Sequence, residues 1–150
     1  MLIQNYIVSA AKQVISASFA SGSITNWQIY GQYDVLDRKG IEFPNVRVQC
    51  FDEQPYEKAL KTGLHKAQLE LLTSAIRLTD TGEGTTANEF ETVSDLVFNP
   101  FLMNGIEGIM GSYTPNIIYK LVIEDGLETT PLTDGWIASQ KLEVTCARTS

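Results

Sequence analysis

The chain has 150 residues, about the length of one ordinary domain, and 43% of them are apolar while 19% are charged. This composition is too apolar for a disordered chain, and it supports one buried core without disulfides or metal. The formal net charge of -7 and a pI near 4.6 argue against binding to a phosphate backbone, which requires clustered Lys and Arg.

The first segment has the apolar spacing of an amphipathic helix, which we predict from about Leu2 to Phe19. Its apolar stripe consists of Ile3, Ile7, Ala10, Ala11, Val14 and Ile15. Ser21-Gly22-Ser23 is expected to end the helix. The stretch from Ile24 to Gly40 is predicted to be extended or irregular, with a turn at Asp37-Arg38-Lys39-Gly40.

Two strands are predicted next. Val46, Val48 and Cys50 alternate with polar residues, which indicates a strand that charged residues and Pro55 interrupt between Phe51 and Lys61. The stretch from Leu64 to Leu78 contains strong helix formers, yet its apolar residues alternate. Its local similarity to the later Leu142-Glu143-Val144 stretch favours a strand, and the choice between helix and strand stays open.

The second half of the chain again predicts a helix followed by two strands. A polar loop from Asp80 to Thr86 precedes a helix that Thr86 or Asn88 could cap and that Asn99-Pro100 should end. The apolar stripe of this helix consists of Phe90, Val93, Leu96 and Val97. A glycine-rich loop from Asn104 to Pro115 leads to two strands, Asn116 to Glu124 and Trp136 to Cys146, in which every second residue is apolar.

These elements predict one α+β domain over residues 1–150, in the order α-β-β-α-β-β. We expect a small, mostly antiparallel four-stranded sheet packed with two helices.

No pattern of side chains indicates catalysis, a cofactor or a metal. His65 is the only histidine and is expected at a polar surface or strand edge, and no Cys-x-x-Cys pair occurs. The Gly105–Gly111 segment lacks the Gly-Lys-Ser/Thr of a phosphate loop and carries Glu107. We therefore expect no enzymatic activity, no cofactor and no metal site.

Composition also indicates a compartment. The two cysteines, Cys50 and Cys146, occupy apolar positions of predicted strands, where buried thiols are expected rather than a disulfide. No apolar run has the length of a membrane span, and the first residues lack the basic start of a signal peptide. A soluble intracellular location without membrane contact is expected.

Several segments resemble small tail-terminator and tail-completion proteins of long-tailed bacteriophages, the neck components at the head-proximal end of the tail. The similar segments are the Phe43–Cys50 strand, the alternating stretch after Thr62-Gly63, the acidic Thr-rich loop leading into the Glu89–Phe98 helix, and the closing Trp136–Val144 strand. Together they cover about Phe43 to Cys146.

The resemblance implies a structural virion protein that assembles into a six-membered ring. The ring would cap the tail tube, stop its growth and join the tail to the head-side connector or stopper protein. Its partners would be other copies of itself, the tail-tube protein and that connector, and DNA would pass without specific binding. A ring contact is head-to-tail and uses two different surfaces of each copy.

Polarity, glycine content and position suggest three contact loops: Phe51 to Thr62, Asn104 to Tyr113, and Asp80 to Asn88. The candidate interface residues are Asp52, Glu53, Tyr56, Lys58, Lys61, Asp80, Glu83, Glu89, Glu107, Met110 and Tyr113.

Three alternatives stay open. The chain could be another neck or tail protein of the same viruses, such as a head-completion, stopper or tube protein. It could be a small cytoplasmic ligand-binding or enzymatic domain with its site beside Glu107. It could also be an accessory protein that binds a basic partner through the acidic segment from Asp80 to Asp95.

Overall fold

A computed structural model of the protein describes residues 3–31, 42–55, 64–113, 117–123, 128–132 and 134–147. Within these residues the architecture is α+β, which confirms the predicted class. Three α-helices and a short 3-10 helix accompany six strands. In chain order the elements are α1 (Ile3–Ser21), β1 (Gln28–Gly31), β2 (Asn45–Pro55), β3 (Leu64–Ile76), α2 (Ala87–Phe98), the 3-10 helix (Asn99–Leu102), α3 (Ile106–Gly111), β4 (Ile117–Ile123), β5 (Glu128–Leu132) and β6 (Gly135–Ala147).

The described strands form one mixed sheet in the order β1-β2-β3-β6-β4, with β5 also paired to β6. β3 pairs with β6 along the whole length of both strands. On the other edge, β5 pairs with residues 135–139 of β6 and β4 pairs with residues 142–147. β4 and β5 therefore share that edge, one beyond the other. β1 runs parallel to β2, and the remaining pairs are antiparallel.

The predicted sheet of four strands and two helices was incomplete, because β1, β5 and α3 were not anticipated. β1 has four residues, too few to show a period of two. β5 contains Pro131, which is tolerated because an edge strand can lack a ladder donor. α3 lies in the segment predicted as a glycine-rich loop, and Gly108 and Gly111 are weak helix formers.

The two long central strands refine two other predictions. β2 continues to Pro55, so the expected interruption after Phe51 is instead an irregularity between Phe51 and Gln54 inside the strand. β3 is a strand from Leu64 to Ile76, as the alternation predicted. Its buried side chains decide the outcome, because packing of one strand face against the helices outweighs local helix propensity.

The core lies between one face of the sheet and the helices. The predicted helical stripes of α1 and α2 are confirmed, because Ile7 and Ile15 of α1 and Phe90 and Val97 of α2 are buried. The strands contribute Val46, Val48, Cys50, Ala67, Leu69, Leu71, Ala138, Leu142, Val144 and Cys146. Cys50 and Cys146 are buried thiols outside any disulfide, as expected.

Specific polar contacts fix α2 on the sheet. The Thr73 and Ser94 hydroxyl oxygens lie 2.8 Å apart in the core and share a hydrogen bond between β3 and α2. Thr86 is the N-cap, and its Oγ1 accepts a hydrogen bond from the Glu89 amide at 3.2 Å. The helix ends at Phe98 and continues as the 3-10 helix through Pro100, as the Asn99-Pro100 pair predicted.

One position at the β5–β6 turn tolerates only glycine. A Cβ atom added at Gly135 would collide with the carbonyl oxygen of Ala75 on the neighbouring β3. We expect Gly135→Ala to lower the free energy of unfolding by about 1–3 kcal/mol, the usual cost of overpacking. Gly108→Ala is the matched control, because nothing lies within 4 Å of its added Cβ in α3. The control should be neutral or stabilise by about 0.5–1 kcal/mol.

Urea unfolding followed by circular dichroism measures both values. Equal effects of the two substitutions would contradict the close approach of β3 and β6 at Gly135.

Candidate assembly surfaces

The large apolar side chains that are exposed in the described residues fall into two regions. Phe43, Ile76 and Leu78 lie at one end of the sheet. The second set is in or next to α3 and the strand it packs on, and consists of Leu102, Met103, Ile109, Tyr113 and Val122. Such clustering is typical of interaction surfaces, whereas single exposed apolar side chains are common everywhere.

The first region forms a groove at the end of the sheet where β1 and β2 begin and β3 ends. It encloses a cavity of about 360 Å³, lined by Asn26, Phe43, Pro44, Ile76, Thr79, Glu83, Gly84 and Thr85. Phe43 is 48% exposed and Ile76 is 43% exposed, so the apolar walls are open to solvent. We call this site the Phe43–Ile76 groove.

The polar side of the groove is a short loop folded back on the end of β3. The Leu78 amide donates to the Thr85 carbonyl at 3.0 Å, and the Thr79 amide donates to the Glu83 carbonyl at 2.7 Å. Gly84 adopts a φ of 117°, and an added Cβ would lie 2.5 Å from the Arg77 carbonyl oxygen. This position therefore requires glycine, and the preceding residue, Glu83, is one of the residues that line the groove.

An aromatic stack lies behind the same loop. Phe90 stacks between Trp27 and Trp136, with ring centroids 6.4 and 5.7 Å away, and the Arg77 guanidinium lies 5.3 Å from the Trp136 ring centre. Trp27 is buried and Trp136 is half-buried against the core. Both tryptophans therefore pack in or against the core.

The second region includes Val122 of β4, and we call its other four residues, Leu102, Met103, Ile109 and Tyr113, the α3 surface. Met103 is 61% exposed, the highest value among the exposed large apolar side chains of the described residues. Tyr113 was among the predicted interface residues, whereas Leu102, Met103 and Ile109 were not. Apolar residues between Pro100 and Gly105, where no long element can form, are the signal that could have identified the first two.

Glu107 has a role inside the chain. Its Oε1 accepts a hydrogen bond from the Leu121 amide of β4 at 3.3 Å, and the side chain is half-buried. Glu107, which was predicted as an interface residue, is therefore hydrogen-bonded to the edge strand β4 of its own chain. Met110 requires a correction: it is completely buried, because Ile106 and Met110 are four residues apart on the inward face of α3.

The groove and the α3 surface lie far apart along the strands. Leu121, which Glu107 binds, aligns through Val144 of β6 with Ala67 of β3. Ala67 is nine residues from Ile76 along β3, a distance of about 30 Å at the usual strand rise. The contact that joins α3 to β4 therefore lies toward the opposite end of the sheet from the groove.

The remaining candidate interface residues are dispersed. Asp80 and Glu83 are exposed in the loop beside the groove, and Glu89 accepts a hydrogen bond from Asn26, a groove residue, at 3.2 Å. Asp52 and Glu53 occupy the irregular part of β2. Tyr56, Lys58 and Lys61 lie outside the described residues. The predicted Asp37–Gly40 turn and both end residues of the predicted Asn116–Glu124 strand also lie outside them.

The sheet face opposite the helices carries polar side chains. Lys66 pairs with Glu143 at 3.6 Å, and Lys141 lies 4.0 Å from Glu70. These partly exposed pairs contribute little to stability. No element among the described residues covers this face.

The described residues contain no cluster of three or more His, Cys, Asp or Glu side chains that could hold a metal ion. His65 is half-buried in β3 between its partners Pro55 and Cys146, so it occupies an interior strand rather than the predicted edge. The Gly105–Gly111 segment is largely α3 and packs Ile106 and Met110 into the core. Shape and apolar exposure, not a set of reactive groups, distinguish the two surfaces.

The chain matches no protein-family model, and no curated protein matches it in sequence. Among the helices of the described residues, none combines the length and the apolar character needed to span a membrane.

The Glu107 contact yields a local prediction. We expect Glu107→Ala to accelerate hydrogen exchange at the Leu121 amide and to lower the free energy of unfolding by about 1 kcal/mol, because that amide loses its acceptor. Glu91→Ala, on the exposed side of α2, should change neither quantity appreciably. Amide exchange measured by NMR compares the two variants. Unchanged protection of Leu121 in Glu107→Ala would contradict the contact.

Proposed function

We propose that the protein is a structural component of the neck of a long-tailed bacteriophage, where copies form a ring at the head-proximal end of the tail. The ring ends growth of the tail tube and joins it to the head-side connector. The proposal rests on the resemblance of the Phe43–Cys146 region to tail-terminator proteins. The protein acts in the virion and catalyses no reaction.

The single structural observation that supports it is the separation of the two apolar surfaces. A capping ring needs contacts between copies and a separate contact with the tube or connector. The Phe43–Ile76 groove lies about 30 Å along the strands from the Glu107–Leu121 contact of α3, so the groove and the α3 surface can serve these two contacts at the same time. One surface could then bind the neighbouring copy while the other surface binds the tail tube or the connector.

The size of the surfaces predicts weak association of isolated copies. A few half-exposed apolar side chains provide on the order of 300 Å², compared with about 800 Å² per partner in a stable interface. Closure of a ring or attachment to the tube adds contacts to each copy, which raises the overall stability by multivalency. Assembly should therefore depend strongly on concentration and on the presence of the tail.

The net charge of -7 suits a ring around a DNA passage, because an acidic wall does not hold a polyanion. This feature is compatible with other neck or tube proteins of the same viruses, which remain the nearest alternative. A ligand-binding domain is the second candidate function. The observation that favours it is the 360 Å³ groove, whose volume lies in the lower range of small-molecule sites.

Light scattering coupled to size-exclusion chromatography tests the ring. We expect the wild-type protein to form species of up to six copies as concentration rises, and to bind isolated tail tubes that lack their terminator. Met103→Ser/Ile109→Ser should keep self-association and lose tube binding by tenfold or more, because the α3 surface loses its apolar side chains. Glu91→Gln is the matched surface control and should behave as wild type.

A protein that stays monomeric at every concentration and is also missing from purified particles would overturn the proposal. Saturable binding of a small molecule in the groove by a monomeric protein would favour the ligand-binding alternative.

A further inference from the structure

The α3 surface lies at the C-terminal ends of two helical segments. Residues 87–102 form one continuous helical run, because the residues at the junction of α2 and the 3-10 helix have right-handed helical dihedral angles. This run ends at Leu102, and Met103 is extended. α3 ends at Gly111, two residues before Tyr113. Exposed apolar side chains of the surface therefore lie next to the last carbonyl groups of both segments.

Neither helical end has a compensating positive charge within its own segment. The last turns of α2, the 3-10 helix and α3 contain no basic residue, although the carbonyl end of a helix carries a partial negative charge that a cation stabilises. Asp95 adds a full negative charge near the first end. It is exposed four residues before Asn99, which lies three residues before Leu102, so the three residues follow one another on the same face.

The elements around the α3 surface carry more acidic than basic side chains. α2, the 3-10 helix and α3 contain four carboxylates and no Lys, Arg or His, the carboxylates being Glu89, Glu91, Asp95 and Glu107. The other two elements that contact α3 are α1 and β4. They contain one lysine each, Lys12 and Lys120, and no acidic residue. Four carboxylates against two lysines leave this side of the molecule negative.

The surface therefore fits a protein segment in which apolar side chains stand beside Lys or Arg. A second copy of the chain does not meet this description, because each copy has a net charge of -7 and repels the next. On the uncovered sheet face, moreover, Lys66 is paired with Glu143 and Lys141 with Glu70. The positive charges are expected on a different protein.

We propose that the α3 surface binds a basic, apolar segment of a different protein. Apolar side chains of that segment pack on Leu102, Met103 and Ile109, and its Lys or Arg residues lie beside Asp95 and the carbonyl ends of the helices. This inference rests on the proposed function, in which the α3 surface contacts the tail tube or the connector, and it specifies the chemistry of that contact. The contact weakens as salt is added, because part of it is an attraction between exposed charges.

NMR titration of the ¹⁵N-labelled full-length protein locates the site. The probes are two synthetic peptides, Ac-GKLLKKLLKG-NH₂ and its acidic counterpart Ac-GELLEELLEG-NH₂. We expect the basic peptide to shift the amide signals of Asp95, Leu102, Met103, Ile109 and Tyr113, and to bind about tenfold or more tightly than the acidic one. Its dissociation constant should rise about fivefold or more between about 50 and 300 mM NaCl.

The opposite pattern is equally clear. Signals that shift mainly in the loop from Asp80 to Asn88, or evenly over the whole molecule, would overturn the inference. Equal binding of the two peptides would overturn it as well.

Matched variants separate the apolar part of the contact. Met103→Ser/Ile109→Ser should weaken binding of the basic peptide about tenfold or more, because the surface loses two exposed apolar side chains. Leu78→Ser is the control, since Leu78 is 47% exposed but lies at the end of the sheet that carries the groove. Equal losses in the two variants would overturn the inference.

The charged part has its own matched pair. Asp95→Asn should weaken binding of the basic peptide about threefold and reduce its salt dependence. Glu91→Gln removes an exposed carboxylate from the same helix one turn farther from Leu102, and it should have little effect. Circular dichroism checks that both variants keep the wild-type fold. Equal effects of the two substitutions would overturn the placement of the basic residues beside Asp95.

Binding to isolated tail tubes separates the two proposals. Tube binding that Met103→Ser/Ile109→Ser abolishes, but that neither salt nor Asp95→Asn affects, would remove the basic segment and leave the proposed function standing. Binding of the basic peptide at the α3 surface, by a protein that forms no ring and is missing from particles, would leave this inference and remove the proposed function.

Discussion

The pairing of β3 with β6 is the constraint on which the rest of the structure depends. The two strands pair without a register shift from Leu64 opposite Ala147 to Ile76 opposite Gly135. β2 adds to the outer edge of β3, while β4 and β5 add to the outer edge of β6. The length of this pairing, about 40 Å, also separates the Phe43–Ile76 groove from the connection between β2 and β3.

The long elements could be predicted from the sequence because each buries one complete face. Alternation in β3 and β6 and the helical stripes of α1 and α2 repeat often enough to identify the element and its inward side chains. The short elements could not, because tertiary contacts stabilise them. β1 and α3 have too few residues to show a period, and β5 depends on its turn into β6. Glu107 reaches β4 across fourteen residues of chain, a contact that no local pattern indicates.

The candidate site was predictable in its polar part and not in its apolar part. The loop carrying Asp80 and Glu83 follows from its glycines, threonines and acids. Phe43 and Ile76 are exposed because of how the strands around them are arranged. A sequence pattern does not show that arrangement. Met110 is the opposite case. The glycines around it suggested an exposed loop, but Met110 lies four residues after Ile106 in α3 and both side chains are buried in the core.

Stability and assembly place different demands on this fold. The helices and one sheet face form a buried core that does not include the exposed side chains of the two apolar surfaces, so folding does not require these surfaces to be buried within one copy. Exposed apolar patches of this kind are often interaction sites. In the proposed neck ring the groove binds the next copy and the α3 surface binds the tail or connector, so each surface is covered in the virion.

Electron cryo-microscopy of assembled particles tests the account most directly. It predicts a ring of this chain at the head-proximal end of the tail, with the Phe43–Ile76 groove and the α3 surface of each copy covered by neighbouring subunits. Particles in which the chain is absent from the neck, or in which single copies lie apart with empty grooves, would contradict it.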